Sequence, residues 1–441
     1  MKKSYVKYPY LKKEVTVIER DCGHKIVFAH KDGEMVNIST WVKTGSINEN
    51  DDNNGISHFL EHLMFKGTHA HKAGYFDKTL EAKGAIVNAA TWKDYTYYYV
   101  TLPKGENYKD LYLALELHAD MMMDPIIPDE EIGAPFDLSD SNIKVKRERH
   151  VVIEEIRMRK DQPWTKLYNA CNFNMYKIHP YKRDVIGTPE IISQISRETI
   201  MDYYKRFYNP ENMTTIVVGD FNEDKVLKLI EKGFNFEGRE SIKNTPKQID
   251  NPTEKTIIVE NTAQVNTGYL MFGWLLNKAS EIRHTIIMDM ISIILGDGSS
   301  SRLYQNLIEK NKEQIFNIVE SEHYQFRDGN NFFIQANFDY TKKDLAIEQI
   351  KEQLTGLLTT KITDEELMKA KKKLKTRLAC ATETVSDIGE TIGYYMTVCD
   401  NLSLIEEYLK DIETISIDEL EETIKNYLNI NKATISVLMP N

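Results

Sequence analysis

Residues 55–68 read Gly-Ile-Ser-His-Phe-Leu-Glu-His-Leu-Met-Phe-Lys-Gly-Thr, and no other stretch restricts the fold so tightly. Phe59, Leu60, Leu63 and Met64 fall on one face of a helix, which Gly67 is suited to end. Residues four apart lie one above the other on such a helix, so His58 and His62 present two imidazoles to a common point. Glu61 falls between them, within reach of a water held there but badly placed to be a third ligand. Two neutral imidazoles leave room for a carboxylate and an exchangeable water, the open arrangement of a catalytic zinc ion. A plain surface helix with two histidines is the bland alternative. Against it, a Glu on an otherwise apolar helix is costly to bury without a role.

At 441 residues the chain exceeds one ordinary core, which favours two domains. With 41% hydrophobic and 28% charged residues it has the make-up of a soluble globular protein. A net charge of −11 argues against nucleic acid as a partner. Cys22, Cys171, Cys380 and Cys399 are scattered, as expected of free thiols in a reducing, cytoplasmic compartment. No apolar run follows the basic residues Lys2, Lys3 and Lys7, so no signal peptide is expected, and no run is long enough to span a membrane.

Taken in order, residues 14–20 and 25–30 read as strands turning at Asp21-Cys22-Gly23, and Met35 to Thr44 as a third. A polar loop, Asn48 to Asn54, delivers the chain into the His58 helix. His69 and His71 read as solvated loop residues without a nearby carboxylate. Ala85 to Thr91 and Tyr95 to Leu102 read as strands, the tyrosines of the second lining core and sheet face. Asp110 to Met123 is an apolar helix in which His118 is a packing residue. Pro125 to Asn142 is irregular and acidic, with the look of an inserted surface loop, placed around 130–146. Arg147 to Lys160 reads as a helix with Glu148 and Glu155 seven apart on one face; on residues alone this could equally be a solvated acidic face. Ile191 to Phe207 is helical, Met213 to Asp220 a strand and Asn222 to Lys232 a helix.

The second half repeats the first. Val36-Asn37 recurs as Val265-Asn266, and Tyr208 to Val218 resembles Tyr427 to Leu438. The expected fold class is therefore α+β, with two homologous domains, each a mixed sheet flanked by helices. Residues 1–234 form the metal-binding domain, 235–255 a polar linker and 256–441 the homologous domain. Carried into the second copy, His58, Glu61 and His62 land on Ile287, Met290 and Ile291. Only the first copy can bind metal.

The order His-x-x-Glu-His inverts the His-Glu-x-x-His zinc-peptidase spelling. Together with Val87-Asn88-Ala89, the run Glu148 to Met158 and Ser300-Ser301-Arg302-Leu303, it resembles the pitrilysin family of inverted zinc peptidases, in the branch of mitochondrial processing peptidase and its bacterial relatives. The resemblance implies one half of a clamshell and a single Zn²⁺ per chain, held by His58, His62 and Glu155. Glu61 would then be the general base and Glu148 its helper, with Glu154 their neighbour. An extended peptide would pair along Asn88, Ala89 and Ala90. Glu155 lies 93 positions after His62, more than is usual in the family, and the 130–146 insertion accounts for the excess.

Active relatives also use an Arg and a Tyr seven residues later to hold the scissile carbonyl. Here none of Arg283, Arg302, Arg327 and Arg377 has a Tyr seven positions on. At the matching stretch Ile308 and Phe316 are expected to keep the sheet position without the polar groups. The resemblance thus implies a zinc endopeptidase working as one subunit of a heterodimer, its homologous partner bringing the Arg/Tyr pair. A homodimer or a monomer using other carbonyl donors is the alternative assembly. A non-catalytic scaffold subunit and a small-molecule metallohydrolase are the alternative functions, and no nucleic-acid or membrane partner is expected.

Overall fold

The computed structural model describes residues 1–139, 147–240, 245, 247–252 and 256–441. Most of the expected insertion's second half, 140–146, lies outside the described residues, as do 241–244, 246 and 253–255 of the expected linker.

Among the described residues, twelve strands form two sheets. They are β1 (Lys2–Val6), β2 (Val15–Glu19), β3 (Lys25–His30), β4 (Met35–Val42), β5 (Ile86–Thr91), β6 (Thr96–Pro103), β7 (Met213–Gly219), β8 (Ile257–Ala263), β9 (Gly268–Leu275), β10 (Phe316–Tyr324), β11 (Asn331–Phe338) and β12 (Thr434–Pro440). The first sheet runs β1-β2-β3-β7-β4-β6-β5 and the second β10-β11-β9-β12-β8. In the first, β7 is parallel to β3 and antiparallel to β4. In the second, β12 is parallel to β8 and antiparallel to β9. The remaining pairs, β1–β2–β3, β4–β6–β5 and β9–β11–β10, are antiparallel. The five strands from β3 to β5 thus recur in order and direction as β8 to β10, and the internal duplication is a property of the fold.

The chain forms two compact units. One comprises Met1–Arg157, Asp184–Thr245 and Ala379–Glu406, the other Met158–Arg183, Pro246–Leu378 and Glu407–Asn441. Neither unit is continuous in sequence. The helix Val385–Thr397, late in the chain, packs on β4 and β7 of the first unit. The helix Pro163–Met175, early in the chain, packs on β9 and β12 of the second. Each half of the sequence therefore lends a helix to the sheet of the other, which a single division at 235–255 does not express.

Strand alternation sorts the helices of the first unit. Thr40 of β4 bonds His118 of the helix Lys109–Met123 at 2.9 Å. Its neighbour Trp41 points to the opposite face, where a Cβ on Gly393 would come within 1.9 Å of the indole. Glycine at 393 lets the helix Val385–Thr397 lie directly on that ring. Covered on both sides, β7 is buried along its whole length, as expected of a strand rich in Val, Ile and Thr at the centre of a sheet.

Several expectations need correction. Lys2–Val6, for which no element is expected from sequence, is an edge strand paired with β2; its exposed Lys-Lys-Ser-Tyr carries no core-facing alternation. Val265 and Asn266 lie in the turn between β8 and β9, not on a strand matching β4. Ile191 to Phe207 is two helices, Pro189–Gln194 and Arg197–Phe207, because Ser196 leaves the helix to cap the second with its hydroxyl. Ile308 lies in the helical turn Gln305–Glu309, so only Phe316 sits on the sheet. His69 and His71 do have carboxylate partners, Asp124 at 2.9 Å and Asp120 at 3.0 Å.

Candidate metal centre

The helix Ile56–Met64 is fixed at its start by geometry that only certain residues allow. Gly55 has φ +95°, and a Cβ there would meet the carbonyl oxygen of Ile186 at 2.5 Å. The first backbone donors of a helix lack partners within it; here the Glu49 carboxylate accepts from the N–H of Gly55 at 2.7 Å and of Ser57 at 2.9 Å. It also accepts from Asn54 Nδ2 at 2.8 Å. Burial raises the Glu49 pKa, and these hydrogen bonds oppose that. Phe59, Leu60, Leu63 and Met64 are fully buried in the core of the unit, each contributing roughly 1.5–3 kcal/mol of hydrophobic stabilisation. That packing leaves His58, Glu61 and His62 on the other side of the helix.

The second helix, Glu148–Lys160, buries Val152, Ile153 and Ile156. It is pinned by Arg149, fully buried, whose guanidinium donates to the carbonyls of Ser193 and Ile195 at 2.6 Å. Glu148 and Glu155 face the histidines. Glu154 points away, exposed and paired with Arg157 at 2.5 Å.

Three donor atoms converge. Glu155 Oε2 lies 3.6 Å from His58 Nε2 and 3.5 Å from His62 Nε2, and the three ligand atoms all lie within 4.8 Å of one another. Ligands about 2.0–2.1 Å from a tetrahedral zinc stand roughly 3.4 Å apart, and the two separations to Glu155 are close to that value. Among the described residues this is the one such group of metal-binding side chains.

Around the trio, Glu148 Oε1 is 2.8 Å from His62 Nδ1, and its other oxygen takes Lys66 Nζ at 2.5 Å. Burial works against the charge on Glu148, but His62 and Lys66 outweigh it and hold the carboxyl below its usual range. Burial also opposes a proton on His62, yet the bonds to Glu148 and Glu155 prevail and push it up to about 9. Glu61 is buried, which raises its pKa, and accepts from the Thr91 hydroxyl at 2.5 Å.

Asn88, Ala89 and Ala90 lie on β5, the last strand of its sheet. β5 pairs only with β6 among the described residues, so its outer edge is open to another strand. In the second copy, Ile287, Met290 and Ile291 are buried residues of the helix Ile282–Gly296. Glu49, Lys66 and Thr91 had no role in the sequence reading. Lys66 alone carried a signal there, being one helical turn beyond His62.

A duplicated α+β fold with an inverted His-x-x-Glu-His helix facing a carboxylate helix defines a class of metallopeptidase-like proteins. Residues 25–189 match the model of the insulinase family (peptidase family M16), and residues 194–374 that of the peptidase M16 inactive domain. The chain belongs to peptidase family M16. It is 29% identical to the zinc protease PqqE of Helicobacter pylori, over 92% of this chain and 88% of that one. It is 27% identical to the uncharacterized zinc protease YmxG of Bacillus subtilis, over 87% and 88%. The crystal structure of a protease from Helicobacter pylori superposes with a TM-score of 0.85 at 26% identity, covering 100% of this chain and 99% of that one. A peptidase M16 inactive domain from Pseudomonas fluorescens shares the fold, with a TM-score of 0.83 at 17% identity over 97% and 98%.

Proposed function

We propose that this chain is a zinc-dependent endopeptidase of the mitochondrial-processing-peptidase-like branch, with one Zn²⁺ held by His58, His62 and Glu155. The observation that carries this is the convergence of those three donor atoms beside the buried Glu61. When bound, zinc supplies a Lewis acid that brings water toward ionisation near neutral pH and polarises the peptide carbonyl. Glu61 takes the proton of the attacking water and returns it to the leaving amine. Glu148 fixes the ring of His62. An extended peptide adds to the open edge of β5 along Asn88, Ala89 and Ala90, a mode that reads backbone conformation more than sequence. The four cysteines are free, in keeping with a cytoplasmic setting. Among the described residues no helix is long and apolar enough to cross a membrane.

The chain is further proposed to be the zinc-bearing subunit of a heterodimer, because none of Arg283, Arg302, Arg327 and Arg377 is followed seven residues later by Tyr. The second reading, a non-catalytic assembly subunit, draws on the inactive-domain match over 194–374. Elemental analysis and a mass-spectrometric scan of peptide cleavage separate the two. One zinc per chain with cleavage, and zinc retained but cleavage abolished in Glu61→Gln, is the expected result. Robust turnover by Glu61→Gln would sink the general-base assignment, and a chain without zinc or cleavage would leave the assembly role.

A further inference from the structure

Thr91 closes β5, and its side chain falls on the same face as Val87 and Ala89, which pack against the core beneath the His58 helix. Its hydroxyl has one proton and two oxygens within reach: Glu61 Oε2 at 2.5 Å and Thr96 Oγ1 at 3.4 Å. Thr96 has already committed its own proton to the carbonyl of Thr44, 3.0 Å away. A short bond to a carboxylate is roughly twice as strong as one to a neutral oxygen, so the Thr91 proton goes to Glu61.

From this donor accounting we propose that Thr91 is a positioning residue for Glu61. It occupies Oε2 with a fixed hydrogen bond and leaves Oε1 as the oxygen that exchanges a proton with the attacking water. The backbone of β5 holds Thr91 through its pairing with Thr96 of β6, so the orientation of the base is tied to the strand on which the peptide lies. A carboxylate without this anchor would turn among rotamers of similar energy and present neither oxygen consistently. The proposal rests on the hydrolytic role assigned to Glu61, and its test includes a measurement independent of turnover.

Thr91→Val and Thr91→Ser are compared with wild type and Glu61→Gln, by steady-state cleavage of one peptide, zinc per chain and crystal structures. Wild-type cleavage that Glu61→Gln abolishes supports the peptidase reading by itself. Given that, Thr91→Val should lower kcat about 10- to 100-fold with KM changed less than about twofold, and with zinc content unchanged. Thr91→Ser, which keeps the hydroxyl, should recover most of the loss. In the crystal the Glu61 side chain should leave its position in Thr91→Val and keep it in Thr91→Ser, whether or not any peptide is cleaved. Glu61 unmoved in Thr91→Val, a kcat within twofold of wild type, or a serine variant as impaired as the valine would each overturn the proposal.

Discussion

His62 and Glu148 are joined through Nδ1 and Oε1, 2.8 Å apart, while Lys66 holds the other oxygen of the same carboxylate at 2.5 Å. In the neutral ring, a carboxylate on Nδ1 fixes that nitrogen as the protonated one and leaves the lone pair on Nε2, toward the point shared with His58 and Glu155. Glu148 is thereby placed to orient the proposed ligand His62, a role its place seven residues before Glu155 left open.

Replacing Glu148 with Gln should weaken zinc binding about 10- to 100-fold and leave the fold intact. Competition with a chelator of known affinity measures this directly. Zinc affinity equal to wild type would show that the ring of His62 is held by its packing alone.

Glu49 bears on stability more than on chemistry. In Glu49→Ala the N–H groups of Gly55 and Ser57 and the amide of Asn54 lose their acceptor, which should cost about 1–3 kcal/mol for each donor left unpaired. Urea titration should show the midpoint falling clearly below wild type. A midpoint unchanged within error would mean that water replaces the carboxylate freely.

His118 and His24 are fully buried, and burial lowers the pKa of each to about 3. Both stay neutral in the native state, whereas in the unfolded chain they protonate near pH 6.5. Their stabilising contribution is complete above pH 6.5 and is lost as pH falls toward 3, by up to about 1.4 kcal/mol per pH unit for each group. Other groups shifted by burial, His284 among them, are the same in wild type and in His118→Gln, so comparing the two isolates the His118 contribution. His118→Gln should flatten the fall in Tm across that window, and a slope identical to wild type would exclude His118 as a contributor.

For the proposed partner, the expected outcome is a weak enzyme in isolation. A similar-sized homologue that lacks His-x-x-Glu-His but carries Arg and Tyr seven apart should raise its cleavage rate by about 100-fold or more. Full activity of the purified chain, unchanged by any homologue, would favour a homodimer or monomer with other carbonyl donors.

What could be read from the sequence was what is local. The spacing of Phe59, Leu60, Leu63 and Met64 marks a helix face, and four positions separate His58 from His62. Glu155 was different: on its own residues it was one acid on a charged helix, and only the family resemblance singled it out. Thr91 and Glu49 were illegible because their importance lies in contacts with residues 30 and 6 to 8 positions away, and a Thr ending a strand or a Glu in a polar loop is unremarked in isolation. β1 escaped for a related reason, since an edge strand with both faces wet needs no apolar alternation. The duplication was legible in outline, but the match at Val265-Asn266 was out of register by a few residues. The exchange of helices could not be read at all, because an apolar stripe says that a helix is covered without saying by which sheet.

That exchange sets an order on synthesis. The strands of the first sheet are complete once Gly219 has left the ribosome, but the helix that covers Trp41 ends only at Thr397. At about 5–20 residues per second, the nascent sheet waits on the order of ten seconds or more with one aromatic face open to whatever else is in solution. The N-terminal half, though it carries every proposed zinc ligand, is therefore an unfinished object until nearly the whole polypeptide has been made. A ribosome that stops early releases the proposed metal site mounted on a sheet with an exposed flank.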